Sequence, residues 1–597
     1  MQFHGLSPLA ADDNMRLNGA SSPGAPDIRC RPAQAELADA LPREMHPVLR
    51  RVLAARQVTP GQLRPGLARL LPVGELPGVA EAAERLAGAR TRGERVLIVG
   101  DFDADGATAT ALVISCLRAF GFADPGFLVP DRFTLGYGLS PGIVDIAAGR
   151  KPALLLTVDN GITSLDGARR ARELGIDVLI TDHHLAGPEL PDAALIVNPN
   201  LPGSGFGSPA LCGVGVAFYV MAATGKRLAE LGLLAPDVAR DAVTDCLDLV
   251  ALGTVADLVP LDFNNRILVT EGLRRIRAGR TRPGIEALFR VAGRDPAVAR
   301  SSDLGFAIAP RLNAAGRLTD MTLGIECLLA PDDGAARACA AQLDALNTER
   351  RALQDRMQGE AQDVLAGLSA AAQLSGDAHC LFDESWHPGI VGLVASRVRE
   401  LTGEPAIAFA RATEAGMLRG SARSVEGIHV RDLIANALSR IPGLEVRFGG
   451  HAMAAGLTIL EAELPAFQAA FVGELARVQG SLAGSGILWT DGGLEPDQLQ
   501  IDMAEQLAAA GPWGQGFPEP LFDNIFAVRE QRVVGKKHLK LRVQHSGGGP
   551  VLDAIAFGCA PLTGTRDQSA RFVYRLDVNH YRNARTAQLV VEHLDCV

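Results

Sequence analysis

None of the nine cysteines in this 597-residue chain forms a Cys-x-x-Cys pair, which excludes a zinc ribbon and a thioredoxin-type redox motif. Several lie in apolar runs such as Ile114-Ser115-Cys116-Leu117, where a free thiol is core packing. The first residues, MQFHGLSPLAADDNMRLNG, lack the basic start and apolar stretch of a secretory signal. With an odd cysteine count, this predicts a reducing, cytoplasmic setting. No run approaches the ~20 apolar residues of a membrane helix, so no membrane partner is expected. Lysine is scarce, and the one dense basic run is Lys536-Lys537-His538-Leu539-Lys540-Leu541-Arg542. The formal net charge of -10 weighs against a nucleic-acid partner, because phosphate binding wants a basic surface. A basic groove is compatible with that total, and carboxylates reserved for metals account for part of it.

What is present reads as a packed protein. Hydrophobic residues make up 47% and charged residues 21%, and at roughly 150 residues per domain the length predicts about four folding units. Residues 1 to 30 (SSPGAPD) read as a loose tail and 33–90 as a helical lead-in, the whole of 1–70 standing outside the main domains. Over 71–330, short β-rich runs (RVLIVGD, FLVPDR, ALLLTVDN, DVLITDHH, ALIVNPN) alternate with Ala-rich helical segments. That alternation predicts a mostly parallel sheet covered on both faces, followed by helices from 212. Residues 331–370 form one long amphipathic pattern, a connecting helix. A second α/β unit spans 371–480, with HCLFDES, PAIAFARA and MLRGSARS as strands. Five β-rich runs in 485–597 suit a small barrel of the OB type. No internal repeat is evident. The fold class is α/β multidomain.

The acids fall at the C-terminal ends of the first unit's strands, the edge where open α/β sheets bind ligands. In Gly100-Asp101-Phe102-Asp103-Ala104-Asp105-Gly106, three alternate carboxylates cannot all enter a core unpaired. Asp103 and Asp105 could converge on a divalent cation; the alternative is a solvated acidic turn. In Thr157-Val158-Asp159-Asn160-Gly161, Asn-Gly favours a plain turn, but an acid at this edge could bridge two metals. In Thr181-Asp182-His183-His184, His183 could bind metal while His184 faces the scissile phosphate. Asp248 and Asp257, in Leu247-Asp248-Leu249-Val250-Ala251-Leu252-Gly253-Thr254-Val255-Ala256-Asp257, add two further acids. Asp248 could be a cap or a salt-bridge partner, and Asp257 is better placed to reach a cleft. Carboxylates with imidazoles suit Mn²⁺ or Mg²⁺ better than structural Zn²⁺. Two such ions about 3.5–4 Å apart clamp a phosphoester during hydrolysis.

The segments DFDADG, VDNG, TDHH and LDLVALGTVAD resemble the four motifs of the DHH phosphoesterase superfamily. Further segments are similar to its bacterial RecJ branch: Pro310-Arg311-Leu312-Asn313-Ala314-Ala315-Gly316-Arg317, Trp386-His387-Pro388-Gly389-Ile390-Val391-Gly392, Arg447-Phe448-Gly449-Gly450-His451 through Gly456, and Gly511-Pro512-Trp513 through Pro520. The resemblance runs from about residue 70 to the C-terminus. It implies a DHH catalytic domain, a DHHA1 domain and an OB domain, with two divalent cations, Mn²⁺ or Mg²⁺. By it, Asp103, Asp105, Asp159, His183 and Asp257 are the metal ligands, with Asp159 bridging; the last ligand is Asp257 rather than Asp248. His184 contacts substrate phosphate, while Asp101 and Asp182 orient ligands. Ser421, Arg423, Gly449, Gly450 and His451 are candidates for gripping a 5′-terminal phosphate. Arg311 and Arg317 are candidates for lining a channel, and Lys536, Lys537, His538, Lys540 and Arg542 for holding single strands on the barrel. Trp513 and Phe517 either stack on bases or anchor the barrel's entry.

The implied activity is hydrolysis of single-stranded DNA from the 5′ end to mononucleotides, in repair and recombination. The implied partners are single-strand-binding protein and a RecQ-type helicase, and the implied state is a monomer. Two alternatives belong to other branches or classes: a phosphodiesterase of short oligonucleotides or cyclic dinucleotides, and a non-catalytic DNA-binding scaffold. The β-rich C-terminus weighs against the first and against a pyrophosphatase. The complete ligand set weighs against the second.

Overall fold

The computed structural model describes residues 26–130, 138–368, 380–386, 388–412, 414, 416–425, 428–441, 446–450, 453–479, 487–535, 538–557, 569–581 and 584–596. The first strand, β1 (Asp27–Cys30), does not belong to the catalytic sheet. That sheet contains β2 (Val96–Val99), β3 (Gly126–Leu128), β4 (Leu154–Val158), β5 (Asp177–Thr181) and β6 (Leu195–Val197), all parallel, in the order β3-β2-β4-β5-β6. Alternate residues serve opposite faces, as the two-residue period of a strand dictates. Val96 and Ile98 pack with the helices Ala104–Ala119 and Gly213–Glu230, while Leu97 and Val99 pack with Pro141–Ala148. Covering both faces is why β2 is apolar throughout and β4 is apolar save for the buried Thr157. Cys116 is buried in the first of these cores, as its apolar run predicts.

Helices follow as far as Asp333–Leu368, 36 residues long and therefore about 54 Å end to end at 1.5 Å per residue. The second α/β unit has β7 (Cys380–Phe382), β8 (Ala406–Arg411), β9 (Met417–Arg423), β10 (Arg447–Gly450) and β11 (Ala454–Leu460), ordered β10-β11-β9-β8-β7. The first three are the expected ones. After β12 (Ile487–Thr490) comes a closed barrel of β13 (Phe522–Val534), β14 (His538–His545), β15 (Val551–Ala556), β16 (Ser569–Tyr581) and β17 (Ala584–Cys596). Its alternating inward residues, among them Leu539, Leu541 and Val543, fill one core. No described helix is long and apolar enough to cross a membrane.

Two features depart from the sequence reading. The stretch up to residue 30 is not all loose tail, since β1 pairs in parallel with β12. Residues 1–25 lie outside the described residues. Part of the helical lead-in also serves the far end of the chain: Val48, Leu49 and Val52 of the helix Pro47–Ala55 join the barrel core, and buried Arg56 pairs with Asp491 at 2.7 Å.

The Gly511–Pro520 segment joins the barrel unit to the catalytic domain. The Leu261 N–H donates to the Gln515 carbonyl at 2.7 Å, and the Ser301 hydroxyl donates to the Trp513 carbonyl at 2.6 Å. Trp513 and Phe517 stack with ring centres 5.0 Å apart and planes at 15°. Arg56 lies 5.3 Å over the first ring and Arg266 4.2 Å over the second. Cation–ring contacts of this kind contribute about 0.5–2 kcal/mol each. Phe517 is thus a buried anchor, and base stacking there is excluded.

Candidate active site

Three of the acidic segments begin where β2, β4 and β5 of the parallel sheet stop, and the fourth is the helix Leu247–Ala256, which ends at Asp257. Asp103 caps the helix Ala104–Ala119, accepting the Gly106 N–H at 3.0 Å. Within the first turn, buried Asp105 accepts the N–H groups of Gly213 and Val214 at 2.7 and 2.9 Å. Those are the first N–H groups of the helix Gly213–Glu230, a favourable place for a carboxylate. Asp159 has a left-handed backbone, φ 62°, strained for a non-glycine residue. Asn160 holds it there: its side-chain amide donates to the carbonyls of Val99 and Val158 at 3.1 and 2.8 Å. Close approach requires glycine at position 213, where a Cβ would lie 2.5 Å from the Asp159 Cβ.

The four segments meet. His183 Nε2 lies 3.1 Å from Asp159 Oδ1 and 3.6 Å from Asp257 Oδ2. Potential donor atoms fall into three groups, each within 4.8 Å: Asp101, Asp103 and Asp159; Asp105, His183 and Asp257; and Asp159, His183 and His184. Together they offer five carboxylates and two imidazoles, a donor set suited to Mn²⁺ or Mg²⁺. Burial, then repulsion among the carboxylates, pushes Asp105 up to about 7, Asp101 to about 8 and Asp257 to about 9, with Asp159 raised well above its ordinary range. The buried oxygens Asp101 Oδ1 and Asp257 Oδ2 have no hydrogen-bond partner among the described residues. So much buried negative charge fits cations that compensate it.

Asp182 organises the histidines. Its Oδ1 accepts the N–H groups of His183 and His184 at 2.7 and 3.1 Å and touches His184 Nδ1 at 2.7 Å; its Oδ2 accepts the Ile162 N–H at 2.9 Å. Burial alone would lower the His184 pKa, but the Asp182 contact outweighs it and lifts it to about 9. Asn200 and Asn198 donate side-chain N–H groups to the carbonyls of His183 and His184 at 2.6 and 2.9 Å. These asparagines, with Asn160, were not singled out from the sequence; their signal is their place just past the apolar runs ALIV and LLLTV.

Asp248 is excluded as a ligand. It is buried, and its carboxylate accepts from the Thr281 hydroxyl at 2.9 Å and from Arg282, whose closest side-chain approach is 3.0 Å. Arg311 requires a correction as well. Only 7% exposed, it pairs with Asp344 and donates to the Ala307 carbonyl at 2.6 Å, which removes it from any channel wall. Arg317 is exposed.

In the second unit, Ser421 of β9, Gly456 of β11 and Gly449 of β10 stand in one row across three strands. Arg423 donates to the Ser421 hydroxyl at 2.8 Å. Gly450 occupies the same strand end as Gly449 and is exposed; the pair is strand, not a tight turn. His451 lies outside the described residues, as do Lys536 and Lys537. Lys540 pairs with Asp553 at 2.9 Å, so its charge is partly compensated.

Comparison with known proteins follows the same division. Residues 95–254 match the DHH family, N-terminal domain; 371–477 match the DHHA1 domain; and 490–593 match the RecJ OB domain. The chain is 48% identical over 573 residues to the single-stranded-DNA-specific exonuclease RecJ of Dickeya dadantii (strain 3937), covering 95% of this chain and 98% of that one. It is 47% identical over 567 residues to the Escherichia coli (strain K12) protein of the same name, covering 94% and 97%. Among solved structures, RecJ from Thermus thermophilus in complex with Mn²⁺ superposes with a TM-score of 0.75 at 30% identity, covering 96% of this chain and 79% of that one. Its Mg²⁺ complex gives 0.70 at 28%, covering 96% and 78%. Matched in all three domains and over nearly its full length, the chain belongs to the RecJ family of single-stranded-DNA-specific exonucleases.

Proposed function

We propose that this protein is a metal-dependent exonuclease that degrades single-stranded DNA from the 5′ end to nucleoside 5′-monophosphates, in DNA repair and recombination. The observation that carries the reading is a carboxylate–imidazole cluster in one chain with a closed five-stranded barrel. Asp103, Asp105, Asp159, His183 and Asp257 would hold two divalent cations, Mn²⁺ or Mg²⁺. Bound there, the cations offset the carboxylate charge, make water a better nucleophile and stabilise the phosphorane-like charge.

The residues of the chain do the rest. His184, whose Nδ1 lies 2.7 Å from Asp182 Oδ1, donates to a non-bridging oxygen of the scissile phosphate. The helix start at Gly213 and Val214 fixes Asp105, and Asn160 fixes Asp159, so the donors need no rearrangement during the reaction. Ser421, Arg423, Gly449, Gly450 and His451 grip the 5′-terminal phosphate, which defines the end from which cutting proceeds. Water oxygen bonds to phosphorus as the P–O3′ bond breaks. The released nucleotide keeps its 5′-phosphate and gains a 3′-hydroxyl, and the shortened strand again begins with a 5′-phosphate. Lys536, Lys537 and Lys540 on the barrel attract the strand. A cytoplasmic monomer cooperating with single-strand-binding protein and a RecQ-type helicase completes the proposal.

The test is digestion of long strands beside dinucleotides. Preference for long single strands supports the exonuclease; equal activity on dinucleotides moves the reading to a short-oligonucleotide phosphodiesterase.

A further inference from the structure

Two residues near the Asp257 turn expose apolar surface that the metal site does not use. Leu258 adopts φ 59° and is 66% exposed. A π-helical turn at Leu304–Ile308 presents Phe306, 44% exposed. Such turns and strained residues concentrate at functional sites. Both residues line one cavity of about 450 Å³ between the catalytic domain and the Gly511–Pro520 segment.

The cavity's charged wall is rich in arginine. Arg274, Arg300 and Arg575 line it, paired with Glu271, Asp577 and Glu519 respectively. Arg277 lines it too, but has no ion-pair partner among the described residues; its Nε donates to the Ala299 carbonyl at 2.8 Å. Apolar plates beside a guanidinium outside any described ion pair complement a flat apolar group that carries an anion. A nucleobase with its phosphate has that chemistry.

Position points the same way. Asp257 faces His183, whereas Val255 and Leu258 of the same turn line the cavity. The lining also includes Arg575 of the barrel strand β16, so the cavity lies between the Asp257 turn and the barrel. Resting on the exonuclease reading, we propose that the cavity is a subsite for one nucleobase of the substrate, on the 3′ side of the bond cut. Phe306 is its stacking face and Arg277 its phosphate contact.

The test places 2-aminopurine, or an abasic site, at successive positions of a single strand bound to the cleavage-dead Asp159→Ala protein. The expected result is fluorescence quenching confined to one position, where the abasic site weakens binding about tenfold. In Phe306→Ala the quenching disappears, and the same abasic site costs nothing further. Arg277→Gln lowers the slope of log affinity against log salt by about one. Thermal unfolding of both variants separates these effects from misfolding. Signals that are uniform along the strand, or losses that simply add, overturn the subsite and leave the cavity to an acidic protein segment. Wild-type protein that does not hydrolyse long strands sinks the exonuclease reading instead. The aminopurine signal, being a binding readout, judges the cavity separately.

Discussion

The side-chain oxygen of Asn313 accepts the Ala104 N–H at 2.8 Å, fixing the backbone between Asp103 and Asp105 from a helix more than two hundred residues along the chain. In the same helix, Ala309–Leu318, a Cβ on Gly316 would lie 1.8 Å from the Phe102 carbonyl oxygen. The Pro310–Arg317 motif is therefore a support for the acidic loop. Asn313→Ala removes one buried acceptor, for a cost of about 1–3 kcal/mol. It should also raise the Mn²⁺ concentration needed for half-maximal hydrolysis. Metal titration of activity, beside thermal unfolding, checks both; an unchanged metal requirement would limit Asn313 to a stability role.

Asp257 and Asp248 should separate cleanly. Asp257→Asn should abolish hydrolysis and leave the fold intact, because it relieves repulsion in the cluster. Asp248→Asn leaves Arg282 buried without its counter-charge, a loss of about 3–5 kcal/mol for a broken buried pair. Denaturant unfolding and single-strand digestion of the two variants make the comparison. A stable, active Asp248→Asn protein would contradict the assignment.

Glycine at position 213 should be required by the site. Gly213→Ala places a Cβ 2.5 Å from that of Asp159 and should lower kcat/KM about 100-fold or more, the scale of a roughly 1 Å misplacement of a catalytic group. Gly473→Ala is the control: nothing lies within 4 Å of its added Cβ, and in a helix it should gain about 0.5–1 kcal/mol.

The buried carboxylates also set a pH dependence for the metal-free protein. Asp105, Asp101 and Asp257 titrate near 7, 8 and 9 in the folded state, against about 3.9 when unfolded. A raised folded pKa gives stability that is present below the unfolded value and lost as pH rises through the folded one. Stability in chelator should therefore decline from about pH 4 to pH 9. Excess Mn²⁺ should raise the melting temperature most at the alkaline end, because it binds the folded, deprotonated cluster. Melting curves across that range with and without metal are the check, and a flat profile in chelator would contradict it.

Much of the site was legible because its chemistry is local. DFDADG, VDNG and TDHH each end an apolar run, so the alternation of such runs with helical segments placed Asp103, Asp105, Asp159 and His183 on one sheet edge without long-range information. The resemblance already favoured Asp257 over Asp248, and the fold adds a physical reason, since only packing reveals Arg282 beside Asp248. Arg311 was misread because a motif does not show where its arginine points; Asp344, on the connecting helix, claims it. Trp513 and Phe517 look the same in sequence as stackers or anchors, and the two arginines that decide between them, Arg56 and Arg266, lie far away in the chain. The pairing of β1 with β12 joins Asp27–Cys30 to Ile487–Thr490, a contact no local pattern encodes.

The central claim is best tested by digesting single-stranded DNA labelled at its 5′ or its 3′ end, with Mn²⁺, Mg²⁺ or chelator. Immediate release of the 5′ label as a mononucleotide, only in the presence of metal and lost in Asp159→Ala, is the predicted result. Release from the 3′ end first, or release in chelator, would contradict the account.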